Sequence, residues 1–168
     1  MFSFLLLSMP KPHHFSFKNE YPNLSSRLTN EAYIFKASSD VGKSGLKATA
    51  LWDTGATRSA ITPAVAKSLS LIPFDRVRVN GINNTSMADV VNISIGLPNL
   101  VVVAEVNVMV CNLVRDIDLL IGMDIILLGD FSISNGDSKT LFSFAIPPFE
   151  NKTDYYEKAI AVNKRNKA

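Results

Sequence analysis

The apolar positions of this chain fall into short runs of strand length, separated by turns rich in Gly, Asn, Asp and Pro. Residues 31–37, Glu31-Ala32-Tyr33-Ile34-Phe35-Lys36-Ala37, are rich in β-formers, and Ser38 to Gly45 carry two glycines and an Asp. With the apolar run 46–52 they predict a hairpin. Ser59-Ala60-Ile61 resumes an apolar strand, and Thr62-Pro63 then reads as an N-cap with proline at the first helical position of a helix over 63–69. Val65, Ala66 and Leu69 share the face that docks it. Residues 74–79 and 85–95 alternate in the β manner around Asn80-Gly81-Ile82-Asn83-Asn84, a polar hairpin tip. Leu100 to Val110 is nearly continuous in Val and predicts a central strand buried on both faces. Leu119 to Ile121 is another buried strand, followed by a short helix over 123–128 that Gly129 is placed to end. Phe131 to Ser134 and Leu141 to Ile146 alternate cleanly about the turn Asn135-Gly136-Asp137-Ser138.

The ends of the chain read differently. Residues 1–27 hold Pro10, Pro12, Pro22 and the adjacent His13 and His14 in mixed polarity, which predicts an irregular arm. The two histidines lack a spaced partner for a metal site and read as solvated. Residues 149–168 predict a charged, frayed helical tail. The expected division is therefore an N-terminal arm (1–27), one domain (28–148) and a C-terminal tail (149–168).

Composition narrows the function classes. The chain has 168 residues, 47% of them apolar and 19% charged, the profile of one globular domain with a real core. A net charge of +2, with no basic stripe interleaved by aromatics, gives no nucleic-acid surface. Cys111 is the only cysteine, so no intrachain disulfide or cysteine metal cluster exists, which fits a reducing, cytoplasmic setting. No apolar stretch reaches the roughly 18–20 residues of a membrane helix. The apolar start, residues 1–9, has no basic region before it and leads into Pro10-Lys11-Pro12, which is a poor match to an export signal.

One stretch asks for chemistry. The run 46–52 ends abruptly in Asp53-Thr54-Gly55-Ala56, and a carboxylate at the end of a buried strand is costly unless a proton, a hydrogen bond or a partner charge compensates it. Alone, Asp-Thr-Gly is an ordinary strand-to-turn junction. Its context changes that, because a second apolar strand downstream ends in Ile121-Gly122 before a short helix, with the polar hairpin tip between the two.

In this combination the sequence resembles the retropepsin-like aspartic proteases over residues 28–148, and in particular their bacterial single-domain members. Asp53-Thr54-Gly55-Ala56 matches the catalytic motif, Ser59 falls where the family often has a buried hydroxyl, and Asn80 to Asn84 fall at the flap. Leu119-Leu120-Ile121-Gly122-Met123-Asp124 matches the hydrophobic-hydrophobic-Gly motif. The resemblance implies a mainly β fold, a closed β-barrel with a flap hairpin and one or two short helices. It implies an endopeptidase in which two Asp53 carboxylates, one from each subunit of a homodimer, share a proton and activate a water. The motif occurs once, so the second half-site must come from another copy. Thr54 would hydrogen-bond across the two-fold axis, Gly55 would let peptide backbone approach, Ala56 would keep the pocket wall small, and Gly81, Ile82, Asn83 and Asn84 would cover the peptide. Ile121, Gly122 and Asp124 would serve as the structural motif, with apolar peptide subsites and no cofactor or metal. Retroviral members carry an acid after the motif and an arginine after the later glycine, and here those positions are Thr57 and Met123. Both charges are gone together, so the dimer would be braced differently.

Two rival chemistries fail on the residues. Asp124, Asp130 and Asp137 do not make a calcium loop, because Gly136 is one position late and the closing Glu is missing. A phosphorylated Asp53 would need a lysine beside it and large accompanying domains. The alternative that survives keeps the fold and removes the reaction: a catalytically silent dimerisation or peptide-binding module.

Overall fold

The computed structural model describes residues 13–36, 45–80 and 85–166. Thirteen elements run in the order β1 (Phe15–Tyr21), β2 (Leu28–Phe35), β3 (Leu46–Trp52), β4 (Ala60–Ile61), α1 (Pro63–Ser68), β5 (Asp75–Asn80), β6 (Thr85–Gly96), β7 (Val102–Val110), β8 (Leu119–Ile121), α2 (Met123–Ile126), β9 (Asp130–Gly136), β10 (Lys139–Ile146) and α3 (Tyr155–Arg165). The fold is mainly β, as the alternation predicts. The first hairpin, β2 with β3, is antiparallel, and most of its connection lies outside the described residues. So does the hairpin tip Gly81, Ile82, Asn83 and Asn84, although the β5–β6 ladder stays in register as far as the Asn80–Thr85 pair.

Six strands close into a barrel in the order β2-β3-β8-β4-β7-β6, with β6 returning to pair β2, and β5 lies outside on β6. Closure leaves few free edges in this unit. Ala32, Ile34, Ala48, Ala50, Ile61, Ile93, Ile95, Val108, Leu119 and Ile121 fill its interior. The helix over 63–68 forms as the sequence predicts. Thr62 is extended and its hydroxyl accepts from Val65 N at 3.3 Å, Pro63 opens the first turn, and Val65 is buried. Among the described residues no helix is long and apolar enough to cross a membrane.

The structure corrects the sequence reading in three places. The Val-rich run in β7 is not buried on both faces, since Glu105 is exposed and, of β7, only Val108 is fully covered. The doubly buried strand is the second half of β6, from Val90 to Gly96, which passes from its pairing with β5 and β7 to the closing pair with β2. Gly129 does not end α2 by a left-handed turn. It is glycine because a Cβ there would lie 2.1 Å from the Ala145 carbonyl oxygen.

The third correction concerns the N-terminal arm. Phe15–Tyr21 is no irregular segment: it is a strand paired with β10 over its whole length, from Phe15–Ile146 to Tyr21–Thr140. Phe15, Phe17, Asn19 and Tyr21 alternate with Ser16, Lys18 and Glu20, the period of a half-buried strand. β1, β10 and β9 make a separate three-stranded antiparallel sheet. Its hairpin turns at Asp137 and Ser138, with φ of 51° and 59°, the two-residue loop that suits the twist of the flanking strands. His14, expected to be solvated, stacks on Phe149 with ring centroids 4.3 Å apart and donates from Nδ1 to the Pro147 carbonyl at 2.9 Å. Beyond this anchor α3 is capped by Asp154, whose side chain accepts from Tyr156 N and Glu157 N, and no residue of the helix is buried.

Candidate active site

β3 and β8 run parallel, with Ala50, Leu51 and Trp52 opposite Leu119, Leu120 and Ile121. Parallel strands end on the same side of a sheet, so Asp53 and Gly122 leave the barrel side by side although they are far apart in the chain. Asp53 N donates to the Ile121 carbonyl at 2.9 Å, extending the ladder by one bond. The chain then turns at once. Gly55 N donates to Asp53 Oδ1 at 2.8 Å, and Ala56 N donates to the Asp53 carbonyl at 3.2 Å. The side chain of Asp53 thus folds over its own turn in the manner of an Asx turn. It is partly buried, while Thr54 and Gly55 are exposed. A Cβ at Gly55 would sit 3.2 Å from Asp53 Oδ1 and crowd the carboxylate.

The far end of the loop is held by a polar clamp. Met123 N donates to the Ala56 carbonyl at 2.8 Å. Ser59 is fully buried, and its hydroxyl accepts from Gly122 N at 3.0 Å while donating to Asp124 Oδ1 at 2.7 Å. Asp124 also accepts from Ser59 N at 2.9 Å and from Ile125 N at 3.0 Å. The carboxylate is compensated by three donors, which accounts for an acid in the first turn of α2. Gly122 has no room for a side chain, because a Cβ would come within 2.7 Å of the Arg58 carbonyl carbon and 2.9 Å of the Ala56 oxygen. Ser59, Ile121, Gly122 and Asp124, singled out separately in the sequence, therefore meet around one loop. Thr57 is exposed, and the backbone bond from Met123 with the Ser59–Asp124 pair joins the two motifs.

The near end is held differently, by a group that sequence reasoning did not assemble. Trp52, 4% exposed, packs against Phe144, Phe142, Phe17 and Phe131 with centroid separations of 4.8, 5.3, 5.9 and 6.0 Å. Its indole Nε1–H donates to Asn30 Oδ1. The signal for Asn30 was present: it shares parity with Leu28, Ala32 and Ile34 on the buried face of β2, where an amide stands out. A cavity of about 1090 Å³ lies against the three-stranded sheet, lined by Lys18, Ser132, Ser143, Phe149 and Tyr155 among others, and includes none of the motif residues.

The closed barrel thus carries the Asp-Thr-Gly loop beside a short helix whose N-cap is Gly122. The family described as aspartyl protease matches residues 40–125, just over half of the chain, and the protein belongs to that family. Solved structures are similar to it, among them three proteases. A retropepsin-like aspartic protease from Rickettsia conorii is 16% identical, with 82% of this chain and 99% of that one covered and a TM-score of 0.49. The EIAV protease, solved with an inhibitor, is 19% identical, with 62% and 88% covered and a TM-score of 0.46. The simian foamy virus (mac) protease is 21% identical, with 58% and 89% covered and a TM-score of 0.41. No curated protein matches the chain.

Proposed function

We propose that the protein is an aspartic endopeptidase that works as a homodimer, with Asp53 of each copy as its catalytic residue. The observation that carries this reading is the Asp53 carboxylate at the end of a buried strand, on a loop clamped from both sides while Thr54 and Gly55 stay exposed. The turn bond from Gly55 N would be accepted equally by an Asn side chain, so the turn by itself does not call for an acid at this position. Two such carboxylates on a two-fold axis cannot both carry charge, so the pair holds one proton. The ionised one takes a proton from a water, whose oxygen attacks the scissile carbonyl carbon. The protonated one donates to the carbonyl oxygen. Collapse of the tetrahedral intermediate breaks the C–N bond as a proton passes to the leaving nitrogen, and no acyl-enzyme forms. Thr54 bonds across the axis, Ala56 shapes the pocket wall, and Gly81, Ile82, Asn83 and Asn84 cover an apolar peptide.

The test is cleavage of a broad peptide library over pH 3 to 8, with products read by mass spectrometry and molecular mass by light scattering. Wild type is expected to cleave as a dimer, and Asp53→Asn to remain a folded dimer without activity. A silent binding module would show a dimer that cleaves nothing, and a monomer at assay concentration would defeat the shared site.

A further inference from the structure

We propose that Asn30 is a positioning residue for Asp53, acting through the indole of Trp52; the inference rests on the aspartic peptidase reading above. Asn30 lies on β2 opposite Ala50, and is 7% exposed on a face otherwise made of Leu28, Ala32 and Ile34. An apolar residue would serve packing there, and an amide is tolerated only if its polar atoms are bonded. Both are: Oδ1 accepts from Trp52 Nε1, and Nδ2 donates to the Glu31 carbonyl at 2.6 Å. The aromatic rings around Trp52 hold the faces of its indole by contacts that have no directed bond among them. The bond to Asn30 fixes its edge.

This matters because Trp52 is the residue before Asp53. The Trp52 Cα carries both the indole and the peptide whose N–H donates to Ile121, so a shift of the indole that moves this Cα also moves the backbone from which the Asp53 side chain departs. A carboxylate that must meet its counterpart within hydrogen-bond distance tolerates little error, and a displacement of about 1 Å can cost on the order of 100-fold in rate. The polar clamp at Ser59 governs the other end of the loop and cannot correct a rotation at Trp52.

The experiment uses the full chain and a peptide that wild type cleaves, comparing Asn30→Leu, Trp52→Phe and the double variant in kcat, KM and urea stability. Trp52 is the only tryptophan, so its emission reports directly on the bond in Asn30→Leu. The expected result is a shifted emission in Asn30→Leu, the one variant of the three that keeps the tryptophan, and a kcat lowered roughly 10- to 100-fold in all three variants, with KM little changed. The double variant recovers stability relative to Asn30→Leu, since no polar atom is left unpaired, but does not recover kcat. Trp52→Phe keeps an aromatic ring among its neighbours and carries the test if Asn30→Leu fails to fold. A double variant that regains wild-type kcat together with stability overturns the proposal, as does an unchanged kcat in the single variants. Wild type that cleaves nothing removes the functional reading along with this one, whereas active wild type with unaffected variants removes this one alone.

Discussion

The Asp53 loop is held at its two ends by opposite kinds of physics. At the Ser59 end, short directed bonds between Ser59, Gly122 and Asp124 lock two backbone segments at a separation that excludes even a methyl group at Gly122. At the Trp52 end, five rings pack with one hydrogen bond among them. The polar clamp is made from residues next to the motifs, Ser59 just before β4, Gly122 just after β8 and Asp124 on α2. The aromatic one imports Phe17 from the N-terminal strand and Phe131, Phe142 and Phe144 from the last hairpin. Directed bonds set position at short range and tolerate little substitution, while rings supply most of the buried area and join the terminal sheet to the barrel. The loop is thus held at one end by directed bonds alone and at the other by ring packing with a single directed bond, from Trp52 to Asn30.

That contrast can be broken from either side. Phe142 is fully buried and touches Phe131, Trp52 and Phe17 at centroid distances of 5.2, 5.3 and 5.6 Å. Phe142→Ala should cost about 3–5 kcal/mol in urea unfolding and shift the Trp52 emission, since the cavity opens beside the indole. Ser59→Ala leaves Gly122 N without its acceptor and takes one donor from Asp124, and should cost about 1–3 kcal/mol. Its Trp52 emission should match wild type, because nothing it removes touches the ring. Matching losses of emission in both variants would show the two clamps to be one unit.

The smallest effect is expected at the exposed Glu31–Lys47 pair, which belongs to neither clamp. Lys47 Nζ lies 2.6 Å from Glu31, and the Tyr33 hydroxyl donates to the same carboxylate at 2.8 Å. Lys47 first, and Tyr33 after it, hold the Glu31 carboxyl below its ordinary range, while Glu31 raises the Lys47 ammonium above its own. The Glu31 contribution is therefore present above the usual carboxylate range and lost as pH falls through the lowered value. That of Lys47 is present below the usual ammonium range and lost as pH rises through the raised one. Thermal melts of wild type and Glu31→Gln should differ slightly between these limits and converge in strong acid, with the difference shrinking in high salt. A difference that grows in acid would reverse the assignment.

Much of the fold was legible residue by residue. Alternation marked β5, β6, β9 and β10, a segment rich in β-formers marked the second half of β2, Thr62-Pro63 marked the start of α1, and Asn135 to Ser138 marked the last hairpin. The same period was written in Phe15 to Tyr21, but the surrounding prolines pointed to an irregular arm, and β1 became visible only with β10 beside it. β7 and β6 show the limit of composition. A run of valines does not say how many faces are covered, because burial depends on what lies across the sheet, and β6 is covered twice because it closes the barrel.

By itself, the sequence determined where the strands and turns between Glu31 and Ile146 fall, that an acid ends an apolar strand at Asp53, and that Gly122 follows a second such strand. Those features are local, set by the period of the backbone and by which residues tolerate a turn. Only the tertiary structure decided that β3 and β8 run parallel, so that Asp53 and Gly122 share one end of the barrel, that Ser59 bridges Gly122 to Asp124, and that Asn30 bonds the indole before Asp53. Strand pairing is a choice among many edges of similar hydrogen-bonding capacity, and it is made by the surface that the assembled sheet and its partners bury together, a quantity that no single stretch of sequence contains.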